Sequence, residues 1–180
     1  MEITQLLEQR KASVEEALTI FDRLEPVSLA FMRGQWSGFE ILTGHPIDGL
    51  LEPSGWYGKL FADPENVHPL LIYSLDRKSL FAINPFFIPL GINFPKTQIL
   101  RYFMAILKPI LKTKKSKARM RMVEYRGKLT GTMIYDGKAI CDHFAKIDED
   151  RMLGVMDLKG AAAPYFFVLE REERKWQLEL

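Results

Sequence analysis

The sequence predicts a mainly β (α+β) protein: an antiparallel β-barrel with an N-terminal helix and one inserted apolar helix. Three observations carry this. Nine short segments alternate with period two and are rich in β-branched and aromatic residues, and five of them follow one another at roughly ten-residue spacing after residue 118. One helical pattern precedes all nine, and a second splits them into four and five. The 180 residues, 47% hydrophobic and 27% charged, fall in the range of one compact globular domain with appendages.

The elements follow in chain order. Ser13-Val14-Glu15-Glu16 has the capping-box form, and Val14, Ala17, Leu18, Phe21 and Leu24 then recur at helical spacing until Pro26. Residues 1–27 are therefore expected as an N-terminal helical segment. Residues 28–43 read as the first strand, with Trp36, Gly38, Glu40 and Leu42 on one face. Residues 44–55 are a loop, and WYGKLF is the second strand. Trp36-Ser37-Gly38 is echoed by Trp56-Tyr57-Gly58, which suggests a register with Trp36 opposite Gly58 and Trp56 opposite Gly38, each indole covering a bare glycine.

PLLIYSL and KSLFAI complete a first half at 28–95, whose last stretch, NPFFIPLGINFPK, reads as an irregular apolar loop because proline lacks the ladder amide. The second half, 96–180, opens with a helix over 97–111, with Thr97 as its cap and Pro109 kinking or ending its last turn. Lys112, Lys114, Lys115, Lys117, Arg119 and Arg121 follow without an intervening acid. The meander of five strands comes after them, and the halves are expected to form one domain.

GQWSGFEILTGHPIDGLLEPSGWYGKLF resembles the domain family named GXWXG, and residues 118–160 with FFVLERE resemble the domain of unknown function that usually follows it. The resemblance implies little about activity. A shorter likeness, G-x-W-x-G after a helix and before a sheet, goes to the calycins and to the haem-binding nitrobindin-like barrels. It implies a calycin-like barrel in which the tryptophan closes one end and an apolar ligand fills the inside.

Barrels of eight or more strands can hold one small ligand. Alternation puts Met133 and Tyr135 on one face of a strand, and Met152, Gly154 and Met156 on one face of another. This is either an adaptable cavity wall or ordinary core. The expected function is non-catalytic binding of a hydrophobic small molecule or lipid. Trp36, Glu40, Trp56 and Lys59 would form one wall, with Lys59 able to meet an anionic head, His45 the mouth, and Tyr135 and His143 the opposite wall. On that face Cys141, His143 and Ala145 point inward. The rival is an enzyme on a small apolar substrate, with His45 or His143 as general base and Glu40 or Asp48 as its partner. Haem held by His143 is the third alternative, and no other cofactor is expected. His45, His68 and His143 lack any metal-ligand spacing.

The net charge of +2 is too balanced for whole-surface attraction to nucleic acid, and no aromatics interleave the basic run as stacking platforms. That run, through Lys112, Lys114, Lys115 and Lys117 beside an apolar helix, allows a weak contact with an anionic membrane surface. A homodimer is an assembly the chain allows. Cys141 is the sole cysteine, so no intrachain disulfide forms, and with no signal-peptide core or apolar span the expected setting is cytoplasmic.

Overall fold

A computed structural model describes residues 1–88, 96–97, 99–173 and 176–179. Helices α1 (Ile3–Gln9) and α2 (Val14–Arg23) lead into β1 (Glu25–Pro26), α3 (Leu29–Met32) and β2 (Gly34–Ile41). After α4 (Leu51–Ser54) come β3 (Trp56–Phe61), β4 (Val67–Tyr73), β5 (Leu80–Ala82), a 3₁₀ turn at Pro85–Phe87 and α5 (Ile99–Leu111). The meander is β6 (Ala118–Tyr125), β7 (Lys128–Tyr135), β8 (Ile140–Lys146), β9 (Arg151–Leu158) and β10 (Tyr165–Arg171), and β11 (Leu178–Glu179) follows. The protein is mainly β with a few helices, and each of the nine expected strands is present.

The capping box forms as the sequence implies: Ser13 Oγ accepts from Glu16 N at 3.2 Å, and Glu16 Oε2 accepts from Ser13 N at 2.9 Å. The first long strand starts later than expected. Ser28 Oγ accepts from Phe31 N and turns residues 29–32 into one helical turn, so β2 begins at Gly34. The loop at 44–55 contains the single turn α4. The apolar stretch after residue 83 begins as the 3₁₀ turn, opened by Asn84, whose side chain accepts from Phe86 N; residues 89–95 lie outside the described residues. Helix α5 runs through Pro109 to Leu111 instead of breaking there.

Eight strands close into a ring in the order β4, β3, β2, β10, β9, β8, β7, β6, with β6 meeting β4 again. Every pair in the ring is antiparallel, and β5 and β11 extend the sheet beyond β4. The seam is thin, with Val67 opposite Ala118 as its one register pair and Lys117 N donating to Val67 O at 3.0 Å. Neither half of the chain makes the ring alone, because β2 pairs with β10 and β4 with β6.

The expected β2–β3 register is wrong by one residue. Trp36 faces Lys59, and Ser37 faces Gly58. The cause is Gly58 itself: at φ +151° it brings the strands so close that a Cβ there would lie 2.0 Å from the Trp36 carbonyl oxygen, and β3 is irregular on both sides of it against β4. Half of the proposed exchange survives, since the Trp56 indole covers Gly38, where a Cβ would fall 2.6 Å from the ring.

Three buried clusters result, one of them Tyr57, Leu71, Leu80 and Ala82 on β3, β4 and β5. Trp36, Phe61, Met120, Met133, Phe144 and Met152 fill the ring interior. On its outside, Leu6, Ile20 and Phe21 from α1 and α2 cover Ile41, Leu153, Val155 and Phe166. Trp36 is wholly buried in this interior cluster. Its Nε1 donates to Met32 O at 2.7 Å, and the Arg171 guanidinium lies 4.2 Å from its ring centroid while donating to Phe31 O and Arg33 O. No helix among the described residues is long and apolar enough to cross a membrane.

Candidate functional site

Between the ring interior and helices α4 and α5 lies a cavity of about 360 Å³. At roughly 30 Å³ for each water-sized group, it has room for on the order of a dozen non-hydrogen atoms. Trp56, Met156, Tyr165 and Phe167 wall it from the ring, Leu50 and Leu51 from the α4 side, and Leu100, Phe103, Met104 and Leu107 from α5. Long thioether and aliphatic side chains make up most of this surface, so water inside it gains few hydrogen bonds.

Polar side chains reach the cavity at Ser54, at Lys138, whose Nζ donates to Ile88 O at 2.8 Å, and in a cluster of three residues. Lys59 Nζ stands 2.9 Å from Asp142 Oδ2, with both side chains almost wholly buried. The lysine also donates to Pro69 O at 3.1 Å and to the Tyr135 hydroxyl at 3.5 Å, and it lies 4.8 Å from the Phe167 ring centroid. Burial pushes the Asp142 carboxyl above its ordinary range, and the neighbouring Lys59 and Tyr135 only partly oppose this. The Tyr135 hydroxyl is raised well above 10.0, by burial first and then by Asp142. Lys59 and Tyr135 approach the carboxylate off hydrogen-bond alignment, so neither Asp142 oxygen receives an aligned donor, and the buried Trp56 Nε1 has no acceptor among the described residues. Two charges taken out of water cost several kcal/mol each before their attraction offsets it, so such a pair contributes little net stability.

The residues expected at the site divide into three groups. Trp56, Lys59 and Tyr135 line the cavity. Glu40, His45 and Trp36 stand behind or beside it. Glu40 Oε2 accepts from Tyr165 Oη at 2.9 Å and from Gly49 N at 2.7 Å, so it orients a wall residue, and burial raises its carboxyl. The His45 ring packs edge-on against Tyr165 at 5.4 Å, and its Nδ1 accepts from Ile47 N at 3.3 Å. His45 lines a second hollow of about 320 Å³ that shares Ile47 and Met156 with the first. Burial lowers its pKa, and Asp48 partly offsets that. Asp48 Oδ2 accepts from the amides of Thr43, Gly44 and His45, while its buried Oδ1 has no hydrogen-bond partner among the described residues. Trp36 is buried in the ring interior and does not line the cavity.

His143 forms the third group and is a correction. Strand β8 presents Ile140 and Asp142 to the cavity and Phe144 to the ring interior, whereas Ala145 belongs to the layer beneath the helices. His143 stacks on Tyr125 at 3.8 Å and Nδ1 lies 2.9 Å from Thr132 Oγ1, so it presents no ligand atom to the cavity for haem and no base for a substrate there. The phase of β8 was unreadable because both faces are buried, one by the ring and one by α1 and α2, so apolar alternation names neither. Asp142, missed by sequence reasoning, carried a fainter signal. An acid inside an otherwise apolar strand calls for a buried base, and WYGKLF supplies one in Lys59. Cys141, beside it, is half-buried, and burial with Asp142 and Asp157 pushes its thiol up, away from the nucleophilic thiolate. Among the described residues no group of three or more His, Cys, Asp or Glu could hold a metal ion.

A family model described as GXWXG protein matches residues 19–76, and one described as a domain of unknown function (DUF4334) matches residues 116–171. A crystal structure of a protein from Thermomonospora curvata superposes with a TM-score of 0.71 at 30% identity, over 95% of this chain and 96% of that one. No curated protein matches the chain.

Proposed function

The chain belongs to the GXWXG protein family, with DUF4334 as its second half, and from that premise we propose that it binds a hydrophobic small molecule or lipid without catalysis. The ligand occupies the cavity beside α5, and the ring serves as a calycin-like barrel: the short α3 precedes the G-x-W strand, Trp36 is wholly buried in the interior cluster, and ligand space lies elsewhere in the interior. The observation that carries the reading is a largely apolar cavity with a buried polar cluster in which Lys59 and Asp142 are paired. Lys59 is matched by Asp142, so an anionic head would meet no free counter-charge at this cluster, and Lys138 is the other cation on the wall. A neutral head fits. A hydroxyl can donate to Asp142 and accept from Trp56 Nε1, satisfying atoms that are otherwise unpaired.

Titration calorimetry with decanol, decanoate and decane tests this. Decanol is expected to bind at least about tenfold more tightly than decanoate, and Leu107→Trp, which fills the cavity, to abolish binding. If none of the three binds and native mass spectra show no co-purifying apolar compound, the reading fails.

The buried Lys59–Asp142–Tyr135 cluster favours one second reading, an enzyme acting on the bound compound through Asp142 as acid or base. Its mark is a change in mass of the bound compound that the charge-balanced Lys59→Met/Asp142→Leu variant abolishes while the fold persists.

A further inference from the structure

Helix α5 is apolar on two faces. Leu100, Met104 and Leu111 are buried inward. Outward, Ile99, Tyr102, Ile106 and Ile110 are all exposed, Ile106 by 75%. Their spacing of three and four residues makes a continuous second stripe along the helix. A helix that merely covers a sheet turns charge to the solvent, and this one does not. Its two charged residues are engaged sideways: Arg101 Nη2 donates to Leu75 O at 2.6 Å, and Lys108 pairs with Glu179 at 2.8 Å. The neighbouring turn adds exposed Phe86 and Phe87, and it is tied to the end of α5 by Asn84 N donating to Leu111 O at 2.8 Å. Beyond the helix, Lys114 and Lys115 are exposed and form no ion pair among the described residues.

We infer that the outward face of α5, with Phe86 and Phe87, docks on an anionic lipid bilayer and holds the cavity next to the membrane that supplies its ligand. The last clause rests on the binding reading; the docking does not. At 13 residues, α5 is too short to span a bilayer but long enough to lie in its interface. An anionic surface answers both features at once, accepting the apolar stripe and neutralising Lys114 and Lys115. A second copy of the chain answers only the first, since the acidic residue in contact with this flank, Glu179, is already held by Lys108 and Lys112. Because Leu100 and Met104 wall the cavity from the opposite side of the same helix, a docked α5 would separate bilayer from cavity by one helix thickness.

Flotation with vesicles of phosphatidylcholine alone, and of phosphatidylcholine and phosphatidylglycerol in equal parts, tests the docking. The chain is expected to float with the mixed vesicles, with at least about tenfold weaker partition onto phosphatidylcholine alone and weakening as salt rises. Ile106→Asp/Ile110→Asp alters exposed positions, so it should keep the wild-type circular dichroism and melting temperature and lose vesicle binding. Lys114→Gln/Lys115→Gln should lower partition onto mixed vesicles by about thirtyfold. Absence of wild-type flotation overturns the inference, as does flotation of either variant equal to that of wild type. So does a solution dimer that Ile106→Asp/Ile110→Asp dissociates while vesicles remain unbound. Decanol binding without vesicle binding sinks the docking alone; vesicle binding without decanol binding sinks the binding reading alone.

Discussion

His143 is held neutral at the residue scale by its surroundings. Burial brings its pKa from the ordinary 6.5 down to about 4, and the attraction of Asp157 only partly offsets this. Between those two pH values the unfolded chain takes up a proton that the folded chain refuses. Folding stability therefore falls as pH falls from 6.5 to about 4. His143→Phe keeps a ring against Tyr125 and removes the titration. Urea denaturation across that window is expected to show wild type losing up to about 3 kcal/mol that the variant does not lose. Asp142 and Glu40, raised by burial, act in the opposite sense, so the wild-type-minus-variant difference is the quantity to read. At this scale the sequence was legible where chemistry and place coincide. Lys59, Trp56 and Tyr135 were readable as wall residues because each is a large or charged side chain in a strand with a recognisable inner face. His143 and Asp142 were exchanged because one residue of phase decides between them, and a strand buried on both sides withholds that phase.

At the scale of elements, legibility followed length. Helix α2 announced itself through its apolar period and capping box, and Ser13→Ala is expected to cost about 1 kcal/mol in thermal unfolding, with Ser13→Asp retaining most of it. Helices α3 and α4, of four residues each, are shorter than one readable period and went unseen, as did α1. Strand existence was easy to read and register was not. The Trp-x-Gly echo identified two strands that do pair, but the irregularity around Gly58 shifts their partners, and no pattern of residue types records a bulge in advance. Pro109 was expected to kink or end the helix; with only two helical residues after it, little hydrogen bonding remains to be lost, and α5 continues past it.

For the whole molecule, ring closure depends on contacts far apart in sequence, which no local pattern reveals. Strand counts foretold a ring but not that β2 would meet β10, nor that β6 would meet β4 through a single register pair. That seam has few hydrogen bonds to break, so native-state hydrogen exchange is expected to release the Lys117 amide well before Leu153 and Val155 in β9, which lie beneath α1 and α2. Equal protection at both places would contradict opening at the seam. The shape of the cavity traces back to two other backbone positions. A Cβ on Gly38 would strike the Trp56 ring, and one on Gly154 would come within 2.4 Å of the Phe167 ring. Both rings lie against bare backbone, and both wall the cavity. The empty volume is thus set by two missing methyl groups on the strands behind it. The capacity of the cavity can thus change by exchanging hydrogen for carbon at two backbone positions that do not line it, while the residues that do line it stay the same.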